Sequence, residues 1–75
     1  MEFHWEDGFT IRVRLEGDQS VVLSANRAGL LSLARHLAAL AAEPDGGHFH
    51  LDEYNSLEPG SRELIVEKTP EEDAL

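Results

Sequence analysis

Cysteine is absent from this 75-residue chain, which excludes a disulfide framework and any thiolate metal site and suits a reducing compartment. Positive charge is scarce: six Lys and Arg stand against fifteen Asp and Glu, a formal charge of −9. Phosphate-backbone binding needs a basic footprint, so nucleic acid is set aside as a partner. Long apolar runs are missing too, and nothing approaches the roughly 20 residues of a membrane span. The opening "MEFHWEDGF" puts acids where a secretory leader carries positive charge. These absences together predict a cytoplasmic protein that is neither nucleic-acid-bound nor membrane-embedded. Its acidity favours solubility and, beyond that, rapid association with a basic partner.

What is present is mostly periodicity. Phe3, Trp5, Phe9, Ile11, Val13 and Leu15 fall on one side of a two-residue alternation, with His4, Glu6, Thr10, Arg12, Arg14 and Glu16 on the other. Alternation of this kind predicts a strand with one buried and one wet face, broken by a bulge at Asp7-Gly8. "EGDQ" reads as a turn and "SVVLSA" as the returning strand of a hairpin, with Val21 and Leu23 inward. Asn26 is the best N-cap, Ser24 the alternative. From residue 27 to 43, Leu30, Leu33, Ala34, Leu37, Leu40 and Ala41 recur at three- and four-residue steps, which predicts a helix laid on a sheet and stopped by "PDGG". "HFHL" and "RELIVEK" supply two further strands, with Phe49, Leu51, Leu64 and Val66 inward. Arg12 and Arg14 are expected to pair across strands with Glu63 or Glu67.

The order β-β-α-β-β predicts an α+β two-layer sandwich, one helix packed on a four-stranded, mostly antiparallel sheet. Residues 1–68 form that single domain, and residues 69–75, charged and aperiodic, form a disordered acidic tail.

"HFHLDEYNSLEPGS", residues 48–61, concentrates the chemistry-bearing side chains. His48, His50 and Asp52 alternate along a strand, so two imidazoles and a carboxylate can converge on one metal ion. The plainer alternative is two histidines on a solvated face, since the pairing still needs a third ligand and a second shell. Asp52, Glu53 and Glu58 lack the unlike environments that separate an acid from a base, and neither Ser56 nor Ser61 sits in a nucleophile elbow. No enzyme and no cofactor is predicted. Asp52 and Asn55 favour local turns, Pro59-Gly60 adds another, and Leu57 and Tyr54 are expected to pin the loop to the sheet edge. Such an acidic loop with an aromatic anchor fits a protein-binding surface, with Tyr54 as its aromatic contact residue. A homodimer joined through an edge strand or the open sheet face is a third possibility.

"SANRAGLLSLARHLAALA" followed by "HFHLDEYNSLEPGSRELIVEK" resembles immunity family thirty-two of the bacterial polymorphic-toxin systems. The resemblance covers residues 22–68, and its most specific stretch is "HLDEYNSLEPGSRELIVEK". It implies a non-enzymatic cytoplasmic protein that binds and neutralises a cognate toxin. It also implies that Asp52, Glu53, Asn55 and Glu58, which stand in that stretch, contact the toxin. A basic toxin would suit the charge.

Overall fold

A computed structural model describes residues 3–70. The elements run β1 (Ile11–Glu16), β2 (Ser20–Ala25), α1 (Arg27–Ala41), β3 (His48–Leu51) and β4 (Leu64–Glu67). The α+β class and the β-β-α-β-β order therefore hold; β2 and β3 coincide with the expected stretches, while β1 and β4 are shorter than the sequence pattern predicts. Residues 71–75 of the expected tail lie outside the described residues.

The single four-stranded sheet is not what forms. β1 pairs antiparallel with β2, and β3 with β4, as two separate two-stranded sheets. The cause lies in residues 58–62, which run beside β1 without entering its ladder. Glu58 N donates to Ile11 O and Arg62 N to Val13 O, both at 2.8 Å. Four loop residues thus span two strand residues, and a ladder in register is impossible across that mismatch. Ser61 Oγ takes the Val13 amide instead, at 3.2 Å.

The first alternating segment is likewise not one strand. A turn at Asp7-Gly8, with Gly8 at φ 75°, closes a Phe9 N to Glu6 O bond of 3.2 Å and separates residues 3–6 from β1. Gly8 meets the positive φ at little cost because it has no Cβ. Asn26 then ties three pieces together. Its Oδ1 accepts from Gly29 N (2.8 Å) and Thr10 N (3.0 Å), and its Nδ2 donates to Gly8 O (2.8 Å). The helix ends two residues before the expected Glu43. The Lys68 ammonium, reaching over from the end of β4, donates to the late carbonyls of Ala41 and Glu43, which satisfies orphan acceptors at the negative end of the helix.

The core gathers Ile11, Val13, Leu33, Leu40, Phe49, Leu51 and Leu57, with Trp5, Phe9, Ala25, Leu64 and Val66 packed against it. The buried face of α1 is Gly29, Ser32, Leu33, His36 and Leu40. Relative to the expected stripe it is rotated by roughly 90°, at 100° per residue, and Leu30 and Leu37 are left exposed. Phe3, Leu15, Val21 and Leu23, expected inside, are also exposed. Leu15 and Val21 pair with each other next to the hairpin turn, and Leu23 lies on the outer strand opposite the buried Val13.

Candidate functional site

The connection from β3 to β4 is held by its own side chains. Asp52 Oδ1 accepts from Tyr54 N at 2.9 Å and Asn55 N at 3.1 Å. Asn55 Oδ1 accepts from Asp52 N at 3.0 Å, while its Nδ2 donates to His50 O at 3.1 Å. The Asp52 carbonyl collects the amides of Ser56 and Leu57, closing a helical turn. Glu53 reaches across the loop, and its Oε2 accepts from Gly60 N at 2.8 Å. These are the local turn bonds that Asp and Asn make in place of a ladder, and the charged acceptors strengthen them.

Two anchors fix the loop to the domain. Leu57 is buried in the core. Arg12 donates from Nη1 to Pro59 O at 3.0 Å, beside the two backbone bonds from Glu58 and Arg62 to β1. Arg12 therefore clamps the loop and does not pair with Glu63 or Glu67. Arg14 bonds Glu16 (3.3 Å) and Ser24 (2.8 Å) on its own hairpin.

Of the five expected contact residues, then, Asp52, Glu53 and Asn55 bind loop amides or carbonyls with their side chains. Asp52 and Glu58 are half-buried, Glu53 and Asn55 exposed. Tyr54 is not pinned to the sheet edge; it is 90% exposed at the crest of the loop. With its neighbours occupied in holding the backbone, Tyr54 is the side chain the loop displays.

His48 and His50 project on the same face of β3, ring centroids 5.2 Å apart and edge to face. His50 Nδ1 lies 3.1 Å from Glu63 Oε2, and His48 Nδ1 lies 3.4 Å from Gly46 O. Asp52 directs its Oδ1 into its own loop. Among the described residues no group of three or more His, Cys, Asp or Glu side chains could hold a metal ion. A shallow, open depression of about 560 Å³ lies beside the two histidines, bordered by Phe3, Glu43 and Gly47. Ser56 Oγ donates to Asn55 Oδ1, and Ser61 Oγ accepts from Val13 N.

Three participants escaped the sequence reading: Arg12 as the loop clamp, Glu63 as the partner of His50, and His36 in the core. Only the last had a signal. It stands three residues after Leu33 and four before Leu40, on the buried arc of a helix. Among the described residues, no helix is long and apolar enough to cross a membrane. A family model described as Immunity protein 32 matches residues 20–69, from the start of β2 to just past β4. No curated protein and no solved structure matches the chain.

Proposed function

The chain belongs to the Immunity protein 32 family, and from that premise we propose that it captures and neutralises a cognate toxin through the loop of residues 52–62. The observation that carries this reading is Tyr54, 90% exposed on a backbone that nearby side chains and β1 hold rigid. A bare tyrosine on a flexible loop would lose binding energy to ordering. Here the ordering is already done, so contact made by the ring is retained as affinity.

The proposed role is inhibition by binding, without chemistry performed on the toxin, and its place is the cytoplasm, where a toxin would otherwise act. Glu58 and the free oxygens of Asp52 and Glu53 give the loop a negative rim around the aromatic anchor. That arrangement fits a toxin with a basic contact surface, which the long-range field of a chain at −9 would also attract.

The experiment is a search of the neighbouring reading frames for a toxin domain and its co-expression with this chain, paired with calorimetric titration of the two purified proteins. The wild-type chain is expected to restore growth and to form a stable complex. Tyr54→Ala is expected to weaken that complex by about 2 kcal/mol or more, near thirtyfold in Kd, with an unchanged melting temperature. Undiminished affinity in Tyr54→Ala would remove the loop crest from the interface.

A further inference from the structure

β2 is an edge strand that lacks every device by which sheets keep their edges apart. In an antiparallel pair, successive residues alternate between facing the partner and facing away. Ile11 and Val13 give their carbonyls to Glu58 and Arg62, on the side of β1 remote from β2. Arg12, Arg14 and Glu16 therefore face β2, where their partners are Ser24, Val22 and Ser20. That leaves the amides and carbonyls of Val21, Leu23 and Ala25 pointing outward. Among the described residues, no hydrogen bond from a turn, loop or side chain meets them.

Exposed edges are ordinarily blunted by a lysine or other charge, a proline, or a bulge. "SVVLSA" contains no charged residue and no proline, and its register with β1 runs without interruption. The side chains along it are apolar and bare: Val21 is 63% exposed, Leu23 38%, and Leu15, opposite Val21, 55%. Such a segment is an interface waiting for a strand.

We propose that β2 pairs antiparallel with β2 of a second copy of this chain, about a two-fold axis at Leu23. Leu23 then lies opposite its own counterpart and Val21 opposite Ala25, so every outward amide meets an outward carbonyl. The two hairpins become one four-stranded sheet, and Leu15, Val21 and Leu23 of both copies merge on one face. The same register selects a second copy over an unrelated strand by charge. It carries Glu16 and Asp18, at the hairpin tip of one copy, toward Arg27 and the start of α1 in the other. Arg27 and Asp18 have no ion-pair partner among the described residues. The first turn of α1 holds no acidic residue, so its positive end is free to receive one. Symmetry makes the match twice. The Tyr54 loop lies along the opposite edge of β1 and stays open in both copies, so this pairing stands independently of the toxin reading.

Sedimentation over about 1 µM to 1 mM is expected to show a monomer–dimer equilibrium. Val21→Pro removes an outward amide while leaving the β1 ladder whole, and Val21→Lys supplies the missing edge charge. Each is expected to raise the dimer dissociation constant by about tenfold or more, and the lysine variant decides the matter if the proline variant does not fold. Asp18→Lys is expected to weaken the dimer, and Asp18→Lys with Arg27→Glu to restore it. The register has its own readout, because the chain holds no cysteine. A two-fold pair at Leu23 puts Cα atoms about 5.5 Å apart, within disulfide range. Leu23→Cys should oxidise to a covalent dimer much faster than Val21→Cys. A chain that stays monomeric to about 1 mM, or a dimer indifferent to the Val21 substitutions, overturns the proposal.

Discussion

His36 is 1% exposed, and neither Nδ1 nor Nε2 has a hydrogen-bond partner. Its ring instead meets the edges and faces of Trp5 and Phe3, at centroid distances of 4.3 and 4.5 Å. Burial in this aromatic cluster holds its pKa below the ordinary 6.5; the His4 backbone opposes that shift and the charge of the His4 ring adds to it. A neutral imidazole there acts as a flat apolar filler, while an imidazolium would be a buried charge with only the His4 backbone to favour it. In the unfolded chain the same group takes a proton near pH 6.5. The unfolded state therefore binds more protons than the native one as pH falls through that value, and stability drops with it. Above pH 7 the group contributes no slope. Urea denaturation across pH 5 to 8 should show this loss in the wild type, and His36→Leu should lack the portion that begins below about 6.5. Identical slopes in the two proteins would mean that the ring finds a proton acceptor in the folded state.

At the scale of the element, α1 shows why the pattern of apolar residues misplaced a face it correctly found. Counting leucines and alanines centres the stripe on Leu30 and Leu37. The N-terminal segment turns it toward Gly29, Ser32 and His36. A Cβ on Gly29 would lie 2.4 Å from Thr10 O, so the absent side chain is what lets helix and β1 approach. Ser32 can be buried because its hydroxyl donates to Ala28 O and accepts from Glu6 N. None of these three residues scores as apolar, and only the partners reveal why Gly29 and Ser32 sit inside. The Asn26 cap, by contrast, needs only its own helix start, and it was legible. So were the hairpin and the alternation of β3. The loop shows both outcomes with charge: the local turn bonds of Asp52 were legible from its residue type, while Glu53 read only as a surface acid and its carboxylate holds the Gly60 amide seven residues away. Glu53→Ala should accordingly speed amide exchange at Gly60, by an amount equivalent to about 1 kcal/mol, and leave exchange in β3 and α1 unchanged. Uniform acceleration across the domain would instead make Glu53 part of the global fold.

Across the whole molecule, the scarce cations are turned to internal tasks. Arg35 pairs with Glu6 and Arg14 with Glu16, Arg12 clamps Pro59 O, and Lys68 caps the end of α1. Wherever they bond, six cations against fifteen acids leave a net charge of −9, so the long-range field around the chain is strongly negative. Exposed pairs of this kind contribute about 0–1 kcal/mol each, less than the summed repulsion of many unscreened like charges on so small a body. Screening acts on the two terms unequally, since contact pairs sit well inside a Debye length of about 10 Å at 0.1 M salt and the dispersed acids do not. Raising sodium chloride from about 0.02 to 0.5 M should therefore increase the urea midpoint of the isolated chain. The same salt should slow association with a basic toxin by tenfold or more while changing its dissociation little, because long-range attraction governs encounter and short contacts govern release. Stopped-flow binding and denaturation over one salt series measure both. A urea midpoint that falls with salt would show that Arg35–Glu6 and its like outweigh the repulsion, and the acidity would then be serving the fold itself.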